Sequence, residues 1–566
     1  MKAKKILSLL LVGAMAASIL TGCSGNKDND NNQNDNNQTS QETTIDKNQY
    51  YNGYLVAEPT SLDSAKGSDN YSLTVLNDIL EPLTRLEEDE NGSNFVAPAG
   101  AERWESNEDG TVWTFYLRDN KWSDGEPVKA QDYEYGIKRV LDPKTGAPYA
   151  YMLLPIKNAS AVNAGELPVE ELGVKSLDEK TLEITLEEPT PYFLSLTYLR
   201  PMFPQRQDIV EKYGDTFGAE AETVVSNGPF VLDSWTHNNE IILKKNLNYW
   251  DSETVKLETV NYKIINDINA IYNSLENNSI DSGSTGNTEW LERFSKNENL
   301  NHVSYTNPNV CFKFFNQKDK MFSNANVRKA FTIAINREEI ADVIFNGMNE
   351  AAYGWVPKQI QVEDKEYREL VEEPIKTLKE ENPDAQALLK KGLEELGMDT
   401  DLSKLDVTMT LGGTDQWFRT FGEYIQQMYK TTLGINIKIE FADWPVFMSQ
   451  VESGDYQIGY MAWGAEFNDP ISMLSLLTSD SNAILTGWSN EDYDNLIKQA
   501  RAEMDPGKRL ELYKQAESIA LYEDCVIAPV VYTKNNLFRY KYMKNLPSTP
   551  FGTSGLKHTY TEGREK

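Results

Sequence analysis

The sequence predicts an α/β protein built from more than one lobe, and three observations predict it. A strand pattern at Val407–Leu411 passes through Gly412-Gly413 into a helical pattern over about 415–432. After Gly434 a second strand pattern occupies 435–441. Such a βαβ unit implies two parallel strands joined by a right-handed crossover. Aromatic and β-branched or alternating runs elsewhere, at 113–117 and 182–186, read as further strands. Third, the roughly 515 residues beyond a polar N-terminal stretch are too many for one hydrophobic core, so two or three lobes are expected.

Taken in order, the chain opens with Lys2, Lys4 and Lys5, followed by an apolar run over 6–19 that is too short to remain across a bilayer. Leu20-Thr21-Gly22-Cys23 then places small residues before a lone cysteine, the pattern of a bacterial lipoprotein signal. The expectation is a signal peptide over 1–22, cleavage before Cys23 and acylation there. That would tie the mature chain to the outer face of the cell membrane. Residues 23–49 are mostly Asn, Asp, Gln, Ser and Thr. A stretch so polar cannot bury enough surface to offset its chain entropy, so it is expected to be a flexible tether. In Trp122-Ser123-Asp124-Gly125, Asp-Gly marks a turn that ends a strand. Asn227-Gly228-Pro229 reads as another backbone device. Apolar residues at helical spacing, Val327, Phe331, Ala334 and Ile335, predict a helix over 327–345 capped by Asn324 or Asn326. Helices are also expected over 491–503 and 506–522, before a β-rich run at 526–532.

Composition narrows the function classes. The 566 residues carry a net charge of −32, and a surface this acidic repels nucleic acid and anionic lipid headgroups. Beyond Cys23 the chain has Cys311 and Cys525, which can form one disulfide or stand as two buried thiols; their spacing fits no zinc site. The three histidines, His237, His302 and His558, sit among polar or turn residues, and none lies in the context of a nucleophilic or metal centre. No phosphate-binding glycine loop occurs. The sequence thus argues against an enzyme and implies neither cofactor nor metal. An exported hydrolase of peptides or glycans is the alternative from another class.

Several motifs then appear in a telling order. Trp113-Thr114-Phe115-Tyr116-Leu117-Arg118 precedes Lys121-Trp122-Ser123-Asp124-Gly125-Glu126-Pro127, and Leu141-Asp142-Pro143-Lys144-Thr145-Gly146 follows. Ser226-Asn227-Gly228-Pro229-Phe230 stands mid-chain, and Ala462-Trp463-Gly464-Ala465-Glu466-Phe467-Asn468-Asp469-Pro470 toward the end. Together these resemble the family 5 solute-binding proteins of ABC importers, in particular the oligopeptide-binding branch. The resemblance runs from about residue 54 to 560. It implies a three-lobed, type II periplasmic-binding-protein-like fold: two hinged α/β lobes with a third inserted, and ligand enclosed between lobes I and III. Lobe I would take 50–79, 200–308 and 529–566, lobe II 80–199, and lobe III 309–528.

The implied partners are short peptides, a separate ABC permease with its ATPase subunits, and the membrane through the lipid anchor; the protein would act as a monomer. The resemblance also suggests site residues. Glu466 takes the place of an acidic residue, usually Asp, that pairs with the peptide's α-ammonium. Trp463, Gly464 and Ala465 would meet the peptide main chain, and Ser68, Asp69 and Asn70 would form the opposite wall. Trp444 and Tyr149 match pocket aromatics. Tyr460 stands where some peptide binders carry an arginine for the ligand carboxylate. Cys311 matches a cysteine that some relatives pair with one at the position of Gly464, a pairing that glycine forbids here. A same-fold receptor for an oligosaccharide or metal chelate is the alternative within the family.

Overall fold

The computed structural model describes residues 45–88, 94–481, 483–547, 551 and 555–564. The expected signal peptide, Cys23 and the tether up to residue 44 lie outside them. Of the tether expected over 23–49, the described residues 45–49 are instead held to the body of the protein. Ile45 bridges Glu562. The buried Gln49 side chain accepts from the Thr561 amide and donates to its carbonyl, both at 2.9 Å. An amide that saturates a backbone strand in this way holds its own chain in place.

Strand β1 (Tyr50–Leu55) is followed by helix α1 (Asn70–Ile79). The chain then builds a separate antiparallel sheet from β2 (Ala101–Ser106), β3 (Val112–Leu117), β4 (Val174–Ser176) and β5 (Thr181–Thr185), in the order β2-β3-β5-β4. Helix α2 (Ala130–Leu141), inserted between β3 and β4, packs on β4 and β5. With β6 (Phe230–Thr236), β7 (Glu240–Lys245) and β8 (Thr259–Ile264) the chain returns to β1 in the order β1-β8-β7-β6. β1 and β8 run parallel, so the first sheet closes only after about two hundred intervening residues.

The largest sheet has seven strands. It contains β9 (Ser282–Ser284), β10 (Leu300–Phe315), β11 (Val407–Leu411), β12 (Ile437–Phe441), β13 (Ile458–Gly464) and β14 (Ile527–Tyr540), in the order β9-β14-β10-β13-β11-β12. The short strand Glu350–Ala351 also pairs with β14. Along β10, Val310, Phe312 and Phe314 enter one core with Trp355 and Tyr532, while Cys311 and Phe315 enter another with Phe331 and Ile425. This two-residue alternation buries both faces of the sheet's centre, including Lys313, whose Nζ donates to Tyr429 Oη at 3.1 Å. β14 is longer than the run expected at 526–532. That run is buried throughout, while the second half of the strand, more polar and alternating in burial toward Tyr540, pairs with the first half of β10.

The helices show where local pattern is overridden. Helix α3 (Ala325–Ile333) starts as expected, with Asn324 Oδ1 accepting from the amides of Asn326 and Val327 at 2.8 and 3.3 Å. It breaks after Ile333 rather than running unbroken to 345. Arg337 is fully buried and donates to the carbonyls of Thr332, Ile335, Ala352 and Pro529. The guanidinium thus takes over carbonyls at the helix end, and helical turns resume beyond the break as Arg337–Glu339 and the wider turn Ile340–Ile344, close to the expected end. Helix α4 (Gln416–Thr432) joins parallel β11 and β12 as expected; Asp415 caps its start and Gly434 follows it at φ +73°. Helices α5 (Trp444–Ser453), α6 (Glu491–Ala502) and α7 (Pro506–Ser518) complete this region.

Candidate functional site

A cavity of about 860 Å³ lies where three parts of the chain converge. One wall is the segment 68–70 leading into α1. The facing wall is the end of β13 with the residues after it, Ala462 to Glu466. Tyr149 and Arg200 close a side, and the segment 307–309 of β10 completes the lining.

The first wall is rigid because Asp69 caps α1. Its carboxylate accepts from the Ser72 amide and hydroxyl, both at 2.7 Å, and from the Thr60 amide and hydroxyl. Burial pushes this carboxyl up, but those hydrogen bonds outweigh it and hold the group below its ordinary range. Asp69 therefore presents main chain to the cavity, its side chain being engaged elsewhere. The carbonyls of this wall are held too: Tyr149 Oη donates to Ser68 O at 3.2 Å, and Arg200 Nη1 to Gly67 O and Asp69 O at 2.7 and 3.1 Å.

The facing wall is a strand edge. β13 pairs with β10 through to Gly464, opposite Asn309. On its other side it pairs with β11 only as far as Tyr460, opposite Leu411. Among the described residues, 461–464 therefore have no sheet neighbour on that side, and Ala462, Trp463 and Gly464 line the cavity. A strand edge carries unpaired N–H and C=O groups that an extended chain can complete. At Gly464 a Cβ would meet nothing closer than 3.5 Å, so packing does not demand glycine there; its effect is to leave the main chain uncovered. Ala465 N donates to Pro308 O at 2.7 Å and fixes the turn that brings Glu466 to the cavity.

Burial pushes the Glu466 carboxyl above its ordinary range, while the charge of Arg200 pulls it partly back. Burial likewise lowers Arg200, despite the countervailing fields of Tyr149 and Glu466. The cavity thus holds one underneutralised carboxylate and one cation, with aromatic surface from Tyr149 and Trp463.

Eight of the ten residues singled out in the sequence meet here: Ser68, Asp69, Asn70, Tyr149, Trp463, Gly464, Ala465 and Glu466. Two do not. Tyr460 is 6 % exposed and packs its ring against Phe421 at 4.6 Å, with its hydroxyl beside Cys311. Alternation along β13 turns it into the core. Trp444 begins α5, is 51 % exposed, packs on Phe447, and is not among the residues that line the cavity. Arg200 and Asn307-Pro308-Asn309 were not singled out. A proline flanked by asparagines inside a strand pattern signals a bulge and is the clue available for the latter; nothing local marks Arg200.

The remaining motifs shape the fold. Asn227 is fully buried: its Oδ1 accepts from the Glu81 amide at 2.9 Å and its own amide donates to Ile79 O at 3.1 Å. A Cβ on Gly228 would fall 2.8 Å from the backbone of Ile79 and Leu80. Gly125 sits at φ +94° in its turn. Cys311 and Cys525 are both buried free thiols. Burial pushes the Cys311 thiol up to about 11, and Cys525 Sγ donates to Thr332 Oγ1 at 3.0 Å.

Comparison with known proteins gives consistent results. The profile of the bacterial extracellular solute-binding proteins, family 5 Middle, matches residues 96–484. The chain is 33% identical over 540 residues to the dipeptide-binding protein DppE of Bacillus subtilis, covering 95% of this chain and 96% of that one. It is 30% identical to the probable deoxycholate-binding periplasmic protein YgiS of Escherichia coli, over 85% of this chain and 87% of that one. Among solved structures, Listeria monocytogenes OppA bound to peptide superposes with a TM-score of 0.74 at 30% identity, covering 91% of this chain and 99% of that one.

Proposed function

The chain belongs to the bacterial extracellular solute-binding proteins of family 5, and from that premise we propose that it captures short oligopeptides outside the cell for delivery to an ABC permease. The observation that carries the reading is the meeting, in one cavity, of an open strand edge at 461–464 and the buried carboxylate of Glu466. An extended peptide adds to the edge through its main chain, which every sequence shares. Its α-ammonium meets Glu466 in a charge-assisted bond about twice as strong as a neutral one. Side chains occupy the rest of the cavity, where water can satisfy varied groups. The names of the relatives, a dipeptide-binding protein and an OppA bound to peptide, support the same solute class.

The protein acts as a receptor and performs no chemistry. Ligand bridging the two walls favours the closed form, and the permease responds to that form. The lipoprotein pattern at Cys23 supports anchoring by acylation to the outer face of the cell membrane, where the protein acts as a monomer. Cys23→Ser is expected to release the protein into the medium.

Mass spectrometry of the molecule released on denaturing the purified protein tests the reading: free-ended peptides are expected. A bound sugar, or equal affinity for N-acetylated and free-ended peptides, would falsify it. A second reading, an amphiphilic carboxylate such as a bile acid, draws support from the name of the Escherichia coli relative and from Arg200. Ionised Glu466 opposes it by repelling a carboxylate. Competition between deoxycholate and a peptide mixture separates the two.

A further inference from the structure

The cavity holds a second charge that an α-ammonium leaves unused. Arg200 lines the same cavity as Glu466, although it is only 6 % exposed. Its Nη1 donates to Gly67 O and Asp69 O, and the guanidinium lies 4.6 Å from the centre of the Tyr149 ring. These contacts fix the side chain and occupy one of its three nitrogens. Nε and Nη2 have no hydrogen-bond or ion-pair partner among the described residues, and neither is sealed in the core. Glu466 is not that partner: each feels the other's charge, but they form no ion pair. Arg200, against Tyr149, and Glu466 all line the one cavity, and Tyr149 feels both charges.

A largely desolvated guanidinium with unfilled donors is unfavourable until an anion meets it. Its field also weakens the hold of Glu466 on an amine. A ligand bearing both signs close together removes both penalties, with ammonium on Glu466 and carboxylate on the open fork of Arg200. We infer that the preferred peptides carry an acidic side chain on their first or second residue, and that Arg200 reads it. This rests on the peptide reading above.

The test is calorimetric titration of the full chain, detergent-extracted and refolded free of ligand. The probes are Glu-Ala-Ala-Ala and Ala-Glu-Ala-Ala, with twins carrying Gln or Lys in place of Glu. One Glu peptide should bind about tenfold or more tighter than its Gln twin, the scale of a hydrogen bond to a charged group. The Lys twin should bind more weakly than the Gln twin. Arg200→Met should bring the Glu-to-Gln ratio close to one. Because Arg200 also holds the segment 67–69, Arg200→Lys accompanies it; charge without the planar fork should give a smaller ratio of the same sign. Equal binding of both Glu peptides and their Gln twins, or a Glu preference that survives Arg200→Met, overturns the inference and leaves peptide capture standing. Failure to bind any peptide overturns peptide capture instead.

Discussion

Two demands meet on the carboxylate of Glu466. Capturing an ammonium requires it ionised, while burial opposes ionisation. Its pKa in the ligand-free fold is therefore raised above the unfolded value. The stability it contributes is present at acid pH and lost as pH rises through the raised pKa. Ligand binding has the opposite slope: peptide affinity should fall as pH is lowered through that same region, above the ordinary glutamate range. Glu466→Gln should flatten this pH dependence, weaken peptide binding by about 2–5 kcal/mol, and leave the ligand-free Tm no lower than before. Calorimetry at several pH values with thermal melts checks all three. Tyr460 gives the contrast. With its ring in the core against Phe421, Tyr460→Phe should leave peptide affinity within about 0.5 kcal/mol. Glu466 could be picked out in the sequence because it sits in a fixed string of neighbours. Tyr460 lies beside the same string yet faces the core, because position along such a string does not say which face of the strand a residue takes. Arg200 has no string at all, and only the folded chain brings it to Tyr149.

At the scale of elements, the βαβ unit of β11, α4 and β12 was readable because its glycines, cap and alternation all agree. The single helix expected over 327–345 is broken in two for a nonlocal reason: the carbonyls that Arg337 gathers come partly from Ala352 and Pro529. Asn324→Ala should cost about 0.5–2 kcal/mol through loss of the α3 cap, measured by denaturant unfolding. Gly228→Ala should cost about 1–3 kcal/mol, since its Cβ meets backbone that cannot step aside. The protein that remains folded should keep its peptide affinity, because this turn lies outside the cavity lining. The open edge of β13 makes its own prediction. Methylating the first or second amide of a peptide ligand should weaken binding by about 0.5–1.5 kcal/mol for each donor removed, read by titration. A peptide held only through its side chains would not respond.

For the molecule as a whole, the mixture of strand and helix was legible in local pattern, whereas the route entered only through the family resemblance, as the insertion expected at 80–199. The chain leaves the first sheet after α1 and regains it only at β6, and no local pattern encodes that return. The two buried cysteines yield a prediction at this scale. Neither Cys311 nor Cys525 should react with a thiol reagent until the protein is denatured, and reductant should leave the Tm unchanged. One feature of β10 reaches further. Between Thr306, which faces Lys534, and Val310, which faces Tyr532, three residues of β10 stand opposite Thr533 alone. The two longest strands of the molecule are thus creased together, and the crease forms part of the cavity lining. With the ladder already interrupted there, the halves can flex against each other without rupturing further rungs. A molecule lying across that crease is expected to act as a splint, read as slower amide hydrogen exchange along β10 and β14 when the cavity is occupied.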